Sequence, residues 1–554
     1  MKRSLALLLA LLLVLTTAAC GQPSAPPENN PPTPPSGTAP TDNDPSSATP
    51  QGEGVYGRVL ELVIDAEPQS LDPHYSTALV EFMPIFHIFE TPVAPDADGG
   101  YQPLVCEYAM NEEGTELTLT VREGVTFHDG TAVTSADVKA SIDRWMAARK
   151  SQQDQFGNIL TGCEVKDDKT VVYTFSSPAP LALSALSAMD YGAHIMKADF
   201  IATLEEGRPV QGYEAEKYIG TAPYRFSQWI PGQAVQLVRY DGYKTVVNDA
   251  DGPGGTRYAY ADGLNFNILS DPSTRAMNVM SGTLDYAAAL SEELSKPAID
   301  AGLAKNEYFD CGYTMTFVFN NSSERADSPI HDINFRRAIL ACLDMEPIIL
   351  SYVNTPERVV LSPTFVTDGT MYDNDEIARD IWNIHDTEKA KEYLAQSSYK
   401  GEEIIWVTRS AGGNYYPSVV AAEQLGEIGI NIKLVSVDTT TSNAYKEDFT
   451  GWDISCIQAP MVKTEPANFS FLKNNAWIKW DSPEKTDLYN QLVSTVDTAK
   501  RQEIVDRLTE ILYYEEIPYI ICGSYLSCYT FSADMVPNYN AAYGYFWNSY
   551  KTAG

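Results

Sequence analysis

Apolar side chains recur along this chain at two spacings that alternate from segment to segment. Val59 to Ile64 is an apolar run interrupted only by Glu61, which predicts a buried strand. Glu116 to Arg122 places Leu117, Leu119 and Val121 on one face and polar residues on the other, the period of a half-buried strand. Thr170 to Phe175 predicts another strand. Between these, Ala78 to Phe89 carries helical apolar spacing. Val138, Ile142 and Trp145 share one face of a second helix, opened by Thr134 as N-cap with Asp137 three residues on. Ala66 to Pro73 is polar and rich in turn formers, so it separates the first strand from the first helix. Strands and helices mixed throughout predict an α/β chain with long-range connections. The region from Val55 onward, about 500 residues, has room for two or three domains.

The first fifty residues follow a different pattern. Lys2 and Arg3 precede an almost unbroken Leu/Ala run from Leu5 to Leu15, and Thr17, Ala18 and Ala19 lead to Cys20. The run is too short to span a bilayer, and the charge, apolar core and small-residue end predict a secretory leader over 1–19. A Cys directly after small residues resembles the lipobox of bacterial lipoproteins, which implies a diacylglyceryl anchor on Cys20. Gly21 to Gly54 has no aromatic residue and no aliphatic side chain larger than Ala, so it cannot bury enough apolar surface to offset its ordering entropy. Residues 20–54 are therefore expected to be an anchored, solvated tether reaching on the order of 30 Å. No later stretch offers eighteen consecutive apolar residues, and the remainder is expected to be soluble.

Composition narrows the partners. The chain carries 39 Lys and Arg against 74 Asp and Glu, a formal charge of −35 that becomes −37 when Lys2 and Arg3 leave with the leader. That balance argues against electrostatic binding of nucleic acid or anionic lipid. Seven Cys remain after Cys20, none in C-x-x-C spacing, and an odd count leaves at least one unable to pair within the chain. Cys522 and Cys528 either bridge or stand as buried thiols in a strand-rich region. His74, His87, His128, His194, His331 and His385 show no i, i+4 pair or other ligand spacing, so neither a metal site nor any other cofactor is expected. His128 and Asp129 form a tight turn with Gly130 rather than a catalytic pair, since no Ser or Cys nucleophile signature accompanies them. Arg336 and Arg337, early in a helix after Asp332, are expected to pair with acids rather than to hold an anion.

Six segments occur in a recognisable order: LELVIDAEPQSLDPHYS (Leu60–Ser76), REGVTFHDGTAVTSADVKASIDR (Arg122–Arg144), IGTAPYRFSQWIPGQAVQLVRYDGY (Ile219–Tyr243), SDPSTRAMNVMSGTLD (Ser270–Asp285), FVFNNSSERADSPIHDINFRRAIL (Phe317–Leu340) and HDTEKAKEYL (His385–Leu394). Together they resemble family 5 of the bacterial extracellular solute-binding proteins, which serve peptide and nickel ABC transporters. The resemblance implies an α/β periplasmic binding protein fold of type II, two lobes of mixed sheets plus an inserted domain, closing on a solute like a venus flytrap. It places the first lobe at 55–89, 196–311 and 522–554, the insert at 90–195, and the second lobe at 312–521. It also implies a monomer on the outer face of the cytoplasmic membrane, in periplasm or at the cell surface. That monomer delivers solute to an ABC transporter permease and performs no catalysis. Peptide is the leading solute; an oligosaccharide or nickel chelate is the alternative within the family, and a cell-envelope hydrolase is the unrelated one.

Solute contacts are likewise carried over by position. Thr77 and Leu79 follow the Leu-Asp-Pro loop, Tyr286 follows Gly-x-Leu-Asp, and Tyr313 and Phe317 fall at the crossover into the second lobe. In WDISCIQAPMVKTEPANFSFL (Trp452–Leu472), the peptide binders carry an Asp four residues before the Pro, where it neutralises a free ammonium. Here that position is Val462; a Trp position before it is Ala459, and an upstream Arg position is Cys456. Gln458 and Met461 bracket the altered anchor. Valine accepts no hydrogen bond, and a buried unpaired ammonium is costly. Either Lys463, Glu465 or a remote acid reorganises the site, or the solute is not an ordinary free peptide. Lys463 itself either holds an anionic group or points to solvent.

Overall fold

The computed structural model describes residues 54–55, 57–149, 156–188, 191–288, 290–410, 412–538 and 544–552. The expected leader, Cys20 and the linker as far as residue 53 lie outside the described residues.

In chain order, β1 (Val59–Ile64) is followed by the turn-rich loop and α1 (Leu79–Ile88). A hairpin of β2 (Val93–Pro95) and β3 (Tyr101–Pro103) leads to four antiparallel strands, β4 (Cys106–Met110), β5 (Glu116–Val121), β6 (Leu160–Val165) and β7 (Thr170–Phe175). They form a sheet ordered β4-β5-β7-β6. The alternation in β5 sends Leu117 and Leu119 inward, where α2 (Ser135–Ala148) brings Val138, Ile142 and Trp145 into the same core. Each such fully buried apolar side chain contributes roughly 1.5–3 kcal/mol. The chain then returns to β1 through β8 (Tyr224–Ile230), β9 (Ala234–Arg239) and β10 (Gly263–Ile268), giving a sheet ordered β1-β10-β9-β8. β10 runs parallel to β1, a pairing open to it because a long crossover separates the two.

After the two-residue β11 (Tyr286–Ala287), the 16-residue β12 (Ala304–Phe319) runs out of this body. α3 (Ile333–Cys342), β13 (Ile404–Arg409), α4 (Tyr415–Glu427), β14 (Ile432–Val437) and β15 (Ile454–Pro460) build a second one. Finally β16 (Tyr519–Ser532) runs back antiparallel to β12, with Val318 opposite Tyr519 and Ala304 opposite Ser532. The large sheet is ordered β11-β16-β12-β15-β13-β14. The ends of the β12–β16 pair belong to different cores. Phe317, Phe319 and Tyr519 pack with Trp406 and Trp452, whereas Phe531 packs with Leu62, Phe86, Tyr224 and Trp547.

The ladder joining these cores is broken at two closely spaced places near its middle, between Asp310 and Thr314 and between Met315 and Thr316. Gly312, within the first, has φ +72°. Gly523 on the facing strand has φ +129°, and a Cβ on it would lie 2.5 Å from the Val360 carbonyl oxygen. Both positions therefore require glycine, and both connections weaken at the same level.

Contacts between distant segments explain why the sequence motifs occur together. Asp72, fully buried, receives both Arg144 terminal nitrogens and the backbone N–H groups of His74 (2.9 Å) and Val210 (2.7 Å). Burial raises the Asp72 carboxyl, but Arg144 and these donors prevail and hold it below its ordinary value. His128 brackets the Gly-Thr segment. It donates Nε2–H to the Ala222 carbonyl (3.0 Å), accepts from the Gly220 N–H at Nδ1 (3.2 Å), and donates its own N–H to the Gly220 carbonyl (2.9 Å). Gly220 has no room for a side chain, since a Cβ would lie 1.8 Å from the Ile88 carbonyl oxygen. The Thr134–Asp137 capping box forms as the sequence predicts.

One expectation is corrected, and the choice left open at Cys522 and Cys528 falls to buried thiols. Arg336 donates to the carbonyls of Ile330, Glu516 and Ile517 and to Asn321 Oδ1, and Arg337 to the Tyr514 carbonyl and Asn334 Oδ1. The Tyr514, Glu516 and Ile517 carbonyls lie in or flank a π-helical turn at Ile511–Glu516, and with the Ile330 carbonyl they take the place of acids. Cys522 and Cys528 are both free thiols on β16, six residues and about 20 Å apart along one strand, so no bridge joins them.

Candidate functional site

The segment from Gln458 to Asn468 lies where the two bodies meet. β15 pairs with β12, setting Pro460 opposite Tyr313 and Ala459 opposite Thr314. Beyond the strand, the Met461 N–H donates to the Gly312 carbonyl (2.8 Å), beside the ladder break. Val462 is held on both sides, its N–H on the Phe365 carbonyl (3.2 Å) and its carbonyl on the Thr367 N–H (2.9 Å). The β2–β3 loop comes from the other side. The Met371 N–H donates to the Asp98 carbonyl (2.9 Å), and Gly99 (φ +92°) approaches Lys463 so closely that a Cβ would lie 2.7 Å from its carbonyl oxygen. A second seam contact runs from Asn468 Nδ2 to Ser184 Oγ (3.0 Å).

Polar side chains within this seam fall into two sets. In the first, Glu465 is buried against Arg501, whose guanidinium also donates to the Leu492 and Thr495 carbonyls and to the Tyr372 hydroxyl. Burial pushes the Glu465 carboxyl up to about 6 despite Arg501, and the Ala467 N–H takes the oxygen that faces Arg501. Burial also raises the neighbouring Tyr101 hydroxyl, with the Glu465 charge adding to the shift. Glu465 is thereby committed to an internal pair and is removed as a partner for a solute ammonium.

The second set keeps partial solvent contact except at Tyr525, which is buried. Gln458 donates from Nε2 to the Tyr525 hydroxyl (2.7 Å), and Tyr352 meets the Tyr525 ring edge-on at 5.2 Å. Tyr313 is 44% exposed. Lys463 Nζ lies 3.7 Å from Asp310 Oδ2, with the two side chains 27% and 31% exposed. An amide, phenol groups, one ammonium and one carboxylate can orient a polar solute against aromatic surface.

The structure brings only part of the sequence-derived set together. Gln458, Met461, Val462 and Lys463 share the seam with Tyr313, while Ala459 is buried and offers only its carbonyl, to Thr314 Oγ1 (3.4 Å). Thr77 and Leu79 stand exposed at the N-terminal end of α1, where the Glu81 carboxylate accepts from the Thr77 N–H (2.8 Å). Tyr286 and Phe317 are corrections. Tyr286 is 1% exposed, packed at 5.0 Å on Phe546 and 5.4 Å on Phe531; Phe317 is fully buried, its ring 4.7 Å from Trp406. Both occupy strand positions facing a core, so their aromatic surface is spent on packing. Asp310, Tyr352 and Tyr525 escape sequence reasoning. The one available signal was Asp310-x-Gly312 inside an otherwise strand-like run, since a glycine there marks a bulge.

Comparison with known proteins agrees with this architecture. A family-wide sequence model described as "Bacterial extracellular solute-binding proteins, family 5 Middle" matches residues 100–475. A probable peptide ABC transporter periplasmic-binding protein of Sinorhizobium fredii is 24% identical over 506 residues, covering 87% of this chain and 91% of that one. The dipeptide-binding protein DppE of Bacillus subtilis is 23% identical over 494 residues, covering 83% and 85%. Among solved structures, the ABC transporter substrate-binding protein CtaP of Listeria monocytogenes superposes with a TM-score of 0.74 at 18% identity, covering 90% of this chain and all of that one. The shared fold is that of the type II periplasmic binding proteins.

Proposed function

Because this chain belongs to the bacterial extracellular solute-binding proteins of family 5, whose members are solute-binding proteins of ABC transporters and not enzymes, we propose that it captures a peptide between two lobes and hands it to a permease. The observation carrying this reading is the β12–β16 ladder, which links two separate cores and is interrupted by Gly312 and Gly523 beside a polar seam. Such a connection bends at its weak level, and bending there opens or shuts the seam. The lobes are divided at 311/312 and 521/522, within β12 and β16, with the insert over 90–195 around the β4–β7 sheet. Peptide is favoured because both curated relatives named above are called peptide- or dipeptide-binding proteins. The solute contacts assigned are Tyr313, Gln458, Met461, Val462 and Lys463, with Thr77 and Leu79 on the opposing lobe.

A single binding event stabilises the folded state by about 2.7 kcal/mol when ligand is present at a hundredfold its dissociation constant. Thermal denaturation with di- to pentapeptides, malto-oligosaccharides and a nickel chelate separates the readings. A peptide is expected to raise the melting temperature while the other two leave it in place; a rise with sugar or chelate alone overturns the peptide assignment. The receptor is further assigned a diacylglyceryl anchor at Cys20, acting as a monomer on the outer membrane face. Intact-mass measurement of membrane-extracted protein reads this directly, and a mature chain carrying no lipid mass at Cys20 refutes it.

A further inference from the structure

We propose that Asp310 and Lys463 form a receptor for the free amino-acid head of a peptidic solute, an ammonium and a carboxylate borne on one carbon. Peptides linked through a side chain, such as γ-glutamyl compounds, would then bind in preference to ordinary α-linked ones. The inference rests on reading the seam as the solute site.

Asp310 sits at the break in β12, and its Oδ1 accepts the Gly312 N–H at 2.9 Å, which fixes the carboxylate plane. Its other oxygen, Oδ2, is screened from solvent and takes no hydrogen bond. Buried acceptors in folded proteins are nearly always satisfied, so an orphaned one beside a cleft marks a place for a donor. The cation beside it does not fill that place. Lys463 Nζ stands 3.7 Å away, beyond hydrogen-bonding reach, and both side chains keep part of their surface in solvent. Glu465, two residues from Lys463, is already consumed by Arg501.

Three chain segments hold the pair in position: β12 carries Asp310, the loop after β15 carries Lys463, and the β2–β3 loop presses Gly99 against the Lys463 carbonyl. Lobe closure around the seam therefore positions both charges together. A solute with adjacent opposite charges satisfies them at once, its ammonium on Asp310 Oδ2 and its carboxylate on Lys463 Nζ. The amino terminus of an α-linked peptide satisfies only the first. Its neighbouring carbonyl is a neutral amide, so Lys463 is left without an anion. Specificity then arises from the unpaired charge that the wrong isomer leaves behind.

The isomers γ-Glu-Ala and α-Glu-Ala have one composition and differ in whether that head is free. Calorimetric titration of the mature protein is expected to show the γ-isomer binding at least tenfold more tightly. Asp310→Asn and Lys463→Met, tested separately so that misfolding of one leaves the other readable, are each expected to weaken the γ-isomer tenfold or more. Equal affinity for the two isomers, or γ-isomer affinity untouched in both variants, overturns the receptor and leaves the peptide reading standing. Failure of both isomers while longer α-linked peptides bind overturns it in the same way. Failure of every peptide while an oligosaccharide binds overturns both proposals.

Discussion

Between pH 6.5 and about 4 the protein is expected to lose stability steeply, because four buried histidines are neutral in the folded state and charged in the unfolded one. Burial pushes His74 and His87 down to about 3 and His128 and His194 down to about 4, with the Arg144 guanidinium adding to the shift at His74. The rings of His74, His87 and His128 are bracketed at both nitrogens in their neutral form. His87, for example, donates Nδ1–H to the Met83 carbonyl (2.6 Å) and accepts the Phe546 N–H at Nε2 (2.8 Å). Their folded values are depressed, so the full contribution to stability is present above the unfolded value of 6.5. It drains away as pH falls, more slowly once native His128 and His194 titrate near 4, and levels when His74 and His87 titrate near 3. Glu465 opposes this in part, since its raised carboxyl holds a proton in the native state at pH 5. The net uptake is about three protons on unfolding, or on the order of 4 kcal/mol lost per pH unit near pH 5. Urea denaturation at pH 7.5, 6 and 5 measures the slope; a midpoint that stays level across that range contradicts the assignment.

Asp72→Ala is expected to destabilise the fold by about 3–5 kcal/mol, the cost of removing one member of a buried ion pair. The substitution strands the Arg144 guanidinium, only 9% exposed, and leaves the His74 and Val210 N–H groups without acceptors. It also unties α2 from the loop after β1, so the loss should appear in global unfolding rather than as local fraying. Denaturant unfolding at pH 7.5 checks this, and a loss under about 1 kcal/mol would mean that Asp72 is not a junction of the fold.

These two contacts show what was legible in the sequence and what was not. The strands at Val59–Ile64, Glu116–Val121 and Thr170–Phe175 and the cap at Thr134 follow from local periodicity and hydrogen-bonding chemistry, which need only neighbours along the chain. The Leu-Asp-Pro loop, the His-Asp-Gly turn and the Gly-Thr segment were visible as separate markers. Their meeting, Asp72 on Arg144 and His128 on Gly220, is a tertiary fact that spacing does not encode. The site was less legible for a related reason. Tyr286 and Phe317 lie beside the right segments, but strand alternation turned them into cores, while Asp310 declares itself only through the ladder break. Glu465 looked available because Arg501, 36 residues away, could not be seen to claim it.

The most direct test of the whole account is small-angle scattering from the purified protein, alone and saturated with a peptide that raises its melting temperature. Two lobes hinged at Gly312 and Gly523 are expected to give a smaller radius of gyration with peptide bound, and the peptide should be recovered unchanged. Superimposable curves under proven saturation, or steady conversion of the peptide, would contradict it.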